Sequence, residues 1–305
     1  MKLSSVKMYF KHPTKLFIRI GQNSFLRKMS DEKYLKLIFK DKFGYALDLK
    51  NPQTFNEKLQ WLKLYDRKPI YTTMVDKYDV KKYVADAIGE EYIIPTLGVW
   101  ESFDEIDFDA LPEQFVLKCT HDSGGLVICR DKSKLNKASA KEKIDRCMKR
   151  NYYWANREWP YKDVKPCIIA EKYMEDEETA ELRDYKFFSF DGDTKAMFIA
   201  TERANENEET KFDFFDMDYN HLDFRNGHPN ATTLPAKPQN FELMHALADK
   251  LSIGIPQVRV DFYEVNGQVY FGEMTFFHWS GLKPFEPKEW DKIFGEWIKL
   301  PEKEN

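Results

Sequence analysis

Cysteine and long apolar runs are both scarce in this sequence, and each scarcity limits what the protein can be. The 305 residues contain four cysteines, Cys119, Cys129, Cys147 and Cys167, whose spacing matches no metal-binding motif. Cys119 and Cys129 fall in apolar, strand-like stretches, so we expect buried thiols. No apolar run approaches the length of a membrane span. The N-terminus has neither the apolar core nor the cleavage site of a secretory signal, so these features predict a cytoplasmic protein.

A strong excess of charge is also absent. The net charge is −4, hydrophobic residues make up 42% and charged residues 32%, which is typical of a soluble protein with one large domain or two smaller ones. This balance excludes a general nucleic-acid binder. The first forty residues are locally basic, which is typical of a solvated helix face or of a contact with anionic lipid or a polyanionic substrate. The basic residues are Lys11, Lys15, Arg19, Arg27, Lys28, Lys33, Lys36 and Lys40.

A charged hairpin near the C-terminus is the most informative feature that is present. Residues 258–262 and 269–275 read as two β-strands on either side of Asn266-Gly267. Side chains at alternate positions of a strand share a face. Arg259 and Asp261 therefore lie on one face of the first strand, opposite its apolar residues.

The register of this hairpin decides whether Asp261 meets Glu273 of the second strand. A tight two-residue turn would pair Val265 with Gln268 and send the two carboxylates to opposite faces. A three-residue loop with a bulge would instead pair Glu264 with Gln268. We predict the second register, in which Glu273 lies opposite Arg259 and Asp261 shares their face.

Two carboxylates on one rigid face repel each other unless a cation lies between them. A hard, oxygen-seeking ion such as Mg²⁺ suits such a pair, and it usually accompanies phosphates. A surface ladder of ion pairs explains the same pattern without a metal.

The elements before residue 95 read as helices. Residues 34–39 carry an apolar stripe at helical spacing, and Thr54 with Glu57 predicts a capping box at the start of the next helix. A third helix is predicted over residues 76–87, ending at Gly89.

Beyond Pro95 the pattern changes to strands separated by helices. Residues 203–240 are polar and proline-containing, and we interpret them as a long, partly irregular excursion. The predicted strands are 115–119, 126–129, 167–170, 184–190 and 196–200, and the predicted helices are 139–152 and 241–253.

Three segments suggest nucleotide chemistry, although each also has an ordinary explanation. Lys118 ends a strand before the hairpin loop 121–125, where glycines let backbone N–H groups approach phosphate oxygens. Residues 171–174 follow a buried strand and suit an adenine edge. Lys186 shares a strand face with Asp184, and either contacts phosphates or pairs with that carboxylate.

The order and spacing of these motifs resemble the ATP-grasp fold, an α+β fold whose two lobes hold ATP. The resemblance implies a helical region over residues 1–66 and an ATP-grasp domain over 67–302. Within that domain it implies a small lobe at about 112–175 and a large lobe at about 176–302.

This resemblance also implies a role for each motif. Asp261 and Glu273 match the Mg²⁺ ligands, and Thr275 stands where many members carry a ligand asparagine. Arg259 matches the arginine that steadies the transferred phosphoryl group, and we expect it to act in catalysis together with Lys118 and Lys186. The residues implied to bind ATP are Lys77, Lys118, His121, Ser123, Gly124, Gly125, Glu171, Lys172, Tyr173, Met174 and Lys186.

A closer resemblance is to the TupA-like ATP-grasp family, and it covers about residues 30–302. Members of this family occur in bacterial surface-polysaccharide pathways and are often labelled glycosyltransferases. The segments that look like the family are 51–61, 115–121, 151–154, 157–160 and 271–275.

Two segments depart from the family pattern. Asp122 stands in the phosphate loop where members often have glycine, so it either weakens ATP binding or binds a metal or an amine. Residues 276–281 replace an expected Thr-Pro-Gly-Ser-Gly-like loop that faces the acceptor in the fold. We therefore expect substrate contacts here, although packing of the loop explains the same residues. The residues expected to contact substrate are Arg157, His278, Trp279, Ser280 and Gly281.

The resemblance implies an ADP-forming carboxylate–amine ligase that uses ATP and Mg²⁺ and an acyl-phosphate intermediate. The expected partners are a small or sugar-linked carboxylate, such as a uronic acid or an amino acid, and an amine. The expected setting is capsule or exopolysaccharide assembly, with peripheral contact to membrane or polysaccharide machinery. Two alternatives remain, a sugar-nucleotide glycosyltransferase and a nucleotide-binding protein without turnover.

Overall fold

The computed structural model describes residues 25–177, 182–202 and 209–303. The predictions for Lys11, Lys15 and Arg19, and for helix within residues 1–24, lie outside these ranges. In the described part of the chain, no helix is both long and apolar enough to cross a membrane.

The helices begin and end where capping groups can satisfy their backbone. Thr54 Oγ1 accepts a hydrogen bond from Glu57 N at 3.2 Å, and the Glu57 carboxylate accepts one from Thr54 N at 3.1 Å, which confirms the capping box. The α-helices of the described ranges are α1 (Asp31–Phe43), α2 (Phe55–Tyr65), α3 (Ile70–Val75), α4 (Asp79–Ile88), α5 (Lys137–Met148), α6 (Tyr153–Asn156), α7 (Phe241–Ser252) and α8 (Glu289–Trp297).

Helix α4 begins later than the sequence predicts. Asp76 Oδ1 accepts hydrogen bonds from the backbone N–H groups of Tyr78 and Asp79, at 2.7 and 2.9 Å, so Asp76 caps the helix from outside it. The helix ends as expected, where Gly89 N donates to Ala85 O at 2.9 Å. Helices α3 and α8 were not predicted.

Two antiparallel sheets form the framework. One has four strands in the order β1-β4-β2-β3, and the other has six in the order β10-β9-β5-β6-β7-β8. Strand β1 was not predicted, and β7 and β8 lie in the segment that we expected to be partly irregular. The strands are β1 (Thr96–Trp100), β2 (Phe115–Cys119), β3 (Leu126–Cys129), β4 (Ile168–Lys172), β5 (Asp184–Phe190), β6 (Asp193–Thr201), β7 (Lys211–Phe215), β8 (His221–Leu222), β9 (Val258–Val265) and β10 (Gln268–Thr275).

Each sheet has its own apolar core, so the structure confirms the α+β class. The four-stranded sheet packs on α5 around Phe115, Leu117 and Ile144. The six-stranded sheet shares a larger core with α7 and with the N-terminal helices α1 and α2. We call the units built on these sheets the small lobe and the large lobe. The exact domain boundaries stay predictions.

The register predicted for the C-terminal hairpin is wrong. Asn266 and Gly267 have φ values of 50° and 77°, which is typical of a two-residue type I′ turn, and Val265 pairs with Gln268. The register then shifts at Gly272, so that Glu273 pairs with Asp261. One extra residue reverses which face the following side chains occupy. The bulge therefore returns both carboxylates to one face, and Thr275, rather than Glu273, lies opposite Arg259.

Candidate active site

A row of charged side chains crosses the large sheet on one face. Lys186 of β5 pairs with Asp261 of β9, and Asp261 pairs with Glu273 of β10. Directly opposed residues of neighbouring strands lie within reach of each other. Tight strand pairing thus brings together three residues that are far apart in the sequence.

Asp261 is fully buried and held by two cations. Arg259 Nε donates to Asp261 Oδ1 and Arg259 Nη2 donates to Asp261 Oδ2, both at 2.7 Å, in a bidentate pair. The Lys186 ammonium also contacts Asp261 Oδ2, and it donates to Asp184 Oδ1 at 3.0 Å. Burial lowers the pKa of Lys186, and Arg259 adds to this, whereas Asp261 opposes it.

Glu273 is more open than Asp261, with 41% of its side chain exposed. Arg259 Nη2 lies 3.2 Å from Glu273 Oε1 and 3.0 Å from Thr275 Oγ1. Burial opposes ionisation of Glu273, but Lys77, Lys186, Arg259 and Lys118 together lower its pKa to about 2. Glu273 is therefore a carboxylate at any ordinary pH, with oxygen atoms that a cation can reach.

His278 extends the large-lobe cluster behind Arg259. The His278 Nδ1 atom lies 2.8 Å from Arg259 Nη1, and its Nε2 lies 3.0 Å from Asn226 Oδ1. An arginine can only donate, so Nδ1 accepts and Nε2 carries the proton. Burial, Arg259 and Lys186 hold the pKa of His278 well below its usual value, which keeps the ring neutral.

The small lobe carries a second cluster with two cations around one carboxylate. Glu171 of β4 lies between Lys118 of β2 and Lys81 of α4, with a nitrogen–oxygen distance of 2.5 Å to each. Lys81 also donates to Thr96 Oγ1 at 2.7 Å. Burial would raise the pKa of Glu171, but the two ammonium groups outweigh it and lower that pKa.

The phosphate loop of the sequence analysis, residues 121–125, joins β2 to β3. The Lys77 ammonium donates to the backbone oxygen of Asp122 at 2.9 Å, so it lies against this loop. Ser123 and Gly124 are exposed, whereas His121 and Gly125 are buried.

The two clusters face a common cleft. Lys77 and Lys118 belong to the small-lobe side, yet both lower the pKa of Glu273 on β10. A charge acts on another group's ionisation in this way only at short range or across little water. Lys77 and Lys118 therefore lie close enough to Glu273 to act on its charge, which brings the two clusters near each other.

A model of the TupA-like ATP-grasp family matches residues 57–299, and these residues include both clusters and the loop between β2 and β3. The chain belongs to the TupA-like ATP-grasp family. The family match confirms the resemblance, and the two antiparallel sheets agree with the expected ATP-grasp fold.

Solved ATP-grasp ligases are similar to this member of the TupA-like family in fold. The D-alanine–D-alanine ligase of Bacillus anthracis, complexed with ATP, is 18% identical, with 67% of this chain and 54% of that chain covered and a TM-score of 0.38. The match thus spans little more than half of that ligase. The Helicobacter pylori D-alanine–D-alanine ligase is 14% identical, with coverages of 81% and 70% and a TM-score of 0.41. At these values the similarities say nothing about substrates.

A third solved structure is the ATP-grasp ligase PsnB complexed with minimal precursor, Mg and ADP. It is 9% identical, with 83% of this chain and 64% of that chain covered and a TM-score of 0.39. The comparison with curated proteins finds no match.

Other predicted site residues of this family member occupy varied surroundings. Lys172 is exposed, Tyr173 Oη accepts a hydrogen bond from Arg130 Nε at 2.9 Å, and Met174 packs with Ile94. The last two side chains form a partly apolar wall next to Glu171.

Arg157 lies apart from both charge clusters. Its guanidinium is almost fully buried, donates to Leu26 O at 2.6 Å, and stacks over the ring of Tyr34 at 4.5 Å. These contacts join α6 to the N-terminal helices and favour a structural role.

Buried polar side chains of α2 hold the loop His278–Gly281 through hydrogen bonds. Lys63 Nζ donates to Ser280 O at 2.8 Å, and Gln60 Nε2 donates to Gly281 O at 2.7 Å. Trp279 and Ser280 both have positive φ, a strained conformation for residues with side chains. Trp279 is left 42% exposed.

Sequence reasoning missed Lys81, although a signal for it exists. Lys77 and Lys81 are four residues apart around the start of α4, which is the spacing that places side chains on one helix face. The buried partners of the loop 278–281, Lys63 and Gln60, gave no signal because they lie about 220 residues earlier in the chain.

Proposed function

We infer that this protein is an ATP-dependent carboxylate–amine ligase. The observation that carries the inference is the common cleft, in which the small-lobe lysines act on Glu273 of the large lobe. Cations on one side and carboxylates on the other suit a nucleoside triphosphate that carries a divalent metal.

Mg²⁺ fits the residues that the fold brings together on the large sheet. Asp261, Glu273 and Thr275 offer only oxygen atoms, which hard cations prefer, and Glu273 is both ionised and accessible. We propose that these three residues hold the ion, which when bound neutralises charge on the phosphates. Lys186 and Arg259 supply the compensating charge to Asp261 in the structure described here.

The chain's own residues have separate tasks in the proposed reaction. Lys77, Lys118 and the loop 121–125 bind and orient the phosphates, and the segment 171–174 borders the nucleotide base. Arg259 and Lys186 stabilise the charge on the transferring phosphoryl group by electrostatics. His278, neutral and hydrogen-bonded to Asn226, holds the Arg259 guanidinium in place.

The proposed chemistry has two steps. A carboxylate oxygen of the substrate attacks the γ-phosphorus, an oxygen–phosphorus bond forms, and the bond to ADP breaks. An amine then attacks the carbonyl carbon of this acyl phosphate, the carbon–nitrogen bond forms, and phosphate leaves while the amine loses a proton. The product is an amide.

A cavity of about 290 Å³ beside Arg259 suits the carboxylate substrate. Arg259 and Lys186 line one part of it, and aromatic residues including Phe212 and Trp279 line another. A sugar ring stacks on aromatic faces while its carboxylate pairs with a guanidinium. We therefore propose a uronic-acid sugar or an amino acid as substrate, in cytoplasmic steps of surface-polysaccharide assembly, as the family resemblance implies.

The test is ADP release by the full-length protein with Mg²⁺ and a panel of uronates, amino acids and amines. The proposal expects ADP release that depends on both a carboxylate and an amine, and strong loss in Lys118→Ala and in Glu273→Gln. If both variants keep full turnover, the site assignment is wrong. Release of a nucleotide from a UDP-sugar without ATP consumption would indicate a glycosyltransferase. ATP binding without any turnover would indicate an inactive nucleotide-binding protein.

A further inference from the structure

A second group of ligand-type side chains lies inside the small lobe, away from the carboxylates of the large sheet. A ring nitrogen of His121, a carboxylate oxygen of Asp122 and Cys147 Sγ all lie within 4.8 Å of one another, and all three residues are buried. Cys147 comes from the last turn of α5, whereas the other two belong to the loop between β2 and β3. The spacing of the cysteines along the sequence did not reveal this group.

Cys119, at the end of β2, borders this group, although its Sγ is not among the atoms that lie within 4.8 Å of one another. A side chain built on Gly125 would place its Cβ 2.3 Å from Cys119 Sγ and 2.6 Å from Cys147 Sγ, so the two sulfur atoms border the same small space. Only glycine leaves room for both sulfur atoms beneath the loop.

His121 is arranged as a histidine that ligates a metal usually is. Its Nε2 lies 3.2 Å from Cys147 O and 3.1 Å from Arg150 O. Both oxygens can only accept, so Nε2 carries the proton and Nδ1 keeps its lone pair. Among the described residues Nδ1 has no hydrogen-bond partner, although it is buried. Donation of the second ring N–H to a backbone carbonyl is the usual support of a metal-bound imidazole.

The charge balance of the group also leaves room for a cation. The Asp122 carboxylate is paired with Arg150, whose Nε lies 2.5 Å from Oδ2, and the Arg150 side chain is 55% exposed. Cys147 Sγ lies 3.3 Å from the same oxygen. An arginine that reaches in from the surface can swing out into water when another cation takes its place.

We propose that Cys119, His121, Asp122 and Cys147 form a binding site for Zn²⁺. Two sulfurs, one imidazole and one carboxylate are the ligand types that zinc accepts in four-coordinate sites, and sulfur ligands exclude Mg²⁺. Binding releases the two thiol protons to solvent, because thiolate is the ligand. The ion would tie the end of α5 to the loop 121–125 and thereby fix the loop that Lys77 contacts.

The test uses the full-length protein, kept reduced with a non-thiol reductant and titrated with Co²⁺ and then with Zn²⁺. We expect one equivalent of Co²⁺ to give a thiolate-to-cobalt charge-transfer band and the visible bands of a tetrahedral site, and Zn²⁺ to abolish both. Cobalt at Asp261 and Glu273 cannot give this band, because no sulfur lies in that set. Absence of the band in the unaltered protein overturns the proposal without any variant.

Two matched variants locate the site. Cys147→Ser should lose the band and the equivalent of zinc measured by elemental analysis. Cys129→Ser, which removes a buried thiol of the same lobe core outside the group, should keep both. Equal loss in both variants, or retention of the band in Cys147→Ser, contradicts the assignment. Arg150→Gln should bind zinc more tightly, since it removes the competing cation, and weaker binding would argue against Asp122 as a ligand.

Discussion

The two charge clusters differ in which charge is in excess: the small-lobe cluster has more cations than carboxylates, and the large-lobe cluster has more carboxylates than cations. In the small lobe, Lys81 and Lys118 surround one carboxylate, that of Glu171. In the large lobe, Asp184, Asp261 and Glu273 outnumber the cations Lys186 and Arg259. The small lobe is therefore prepared for an anion and the large lobe for a cation. A metal-bound triphosphate satisfies both surpluses at once.

The clusters also differ in how firmly they are enclosed. Asp261 is completely buried, and the side chains of Lys186 and Arg259 are 11% and 10% exposed. The Lys118 side chain is 22% exposed, so it can reorient towards water or a ligand. Asp261 and its two cations are thus the enclosed part of the site, whereas Glu273 and Lys118 reach solvent.

The largest expected effects are on ligand use, and they differ between the lobes: a small-lobe variant should affect ATP and a large-lobe variant should affect Mg²⁺. Under the proposed function, Lys118→Ala should weaken ATP use by about 10²–10³-fold, because one preorganised donor to the phosphates is lost. Glu273→Gln should instead raise the Mg²⁺ concentration needed for half-maximal rate. Steady-state rates over a grid of ATP and Mg²⁺ concentrations measure both shifts. Identical shifts in the two variants would contradict the division of tasks.

The free energy of unfolding of the ligand-free protein should fall more when a deeply buried charge is removed than when a partly exposed one is. Asp261→Asn removes the buried carboxylate that Lys186 and Arg259 share, and removal of one partner from a buried pair costs about 3–5 kcal/mol. Glu171→Gln should cost less, about 1–3 kcal/mol, because Lys118, one of its two partners, is 22% exposed and can turn towards water. Urea unfolding gives both values. An equal or larger loss in Glu171→Gln would show that enclosure does not set the difference.

The bulge at Gly272 gives a smaller effect that is specific to the large lobe. A Cβ at this position would lie 3.0 Å from Asp261 O and 3.1 Å from Tyr263 Cε2, so Gly272→Ala must push the strands apart. We expect a loss of about 1–2 kcal/mol and weaker Mg²⁺ binding, with little change in the binding of ATP without metal. Thermal unfolding and metal titration test this, and equal damage to both ligands would contradict it.

The smallest effect concerns acid stability. The pKa of Glu273 is about 2 in the folded protein against an ordinary value of 4.5, so between these pH values only the unfolded chain binds the proton. Its contribution to the free energy of unfolding is complete above pH 4.5 and is lost as the pH falls towards 2. Glu273→Gln should flatten the pH dependence in this window, as measured by urea unfolding.

A control for this pH effect is Thr54→Ala, which removes the helix cap of α2. It should lower the free energy of unfolding by about 1 kcal/mol without changing how that free energy varies with pH, because threonine does not titrate. If Thr54→Ala changes the pH dependence of the free energy of unfolding as much as Glu273→Gln does, the pH effect does not come from Glu273.

The sequence predicted the elements whose hydrogen bonds and side-chain patterns involve residues close to each other in the chain. The capping box of Thr54 and Glu57 and the strands 115–119 and 184–190 depend on neighbours a few residues away. The position of the turn at Asn266-Gly267 was also predicted, but its two-residue length and the resulting register were not. The bulge at Gly272 was not predictable in this way. Whether a glycine continues a strand or makes a bulge depends on the opposite strand, here on the space near Asp261 O.

The candidate site shows the same division between local and distant effects. Family motif strings carried Lys118 and Glu273, and the alternating pattern of the C-terminal hairpin singled out Arg259 and Asp261. The partners of these residues came only from the fold. Lys81 joins Glu171 from a helix 90 residues earlier, and His278 joins Arg259 through a loop beyond β10.

By itself, the sequence determined most of the longer helices and strands, the family and the residue types available for chemistry. Tertiary structure decided which charges share a cleft, which carboxylate is buried, and that Cys147 lies beside His121 and Asp122. The reason is physical. Helix caps and turns depend on hydrogen bonds over a few residues, whereas ionisation and ligand geometry depend on distances between atoms that only folding brings together.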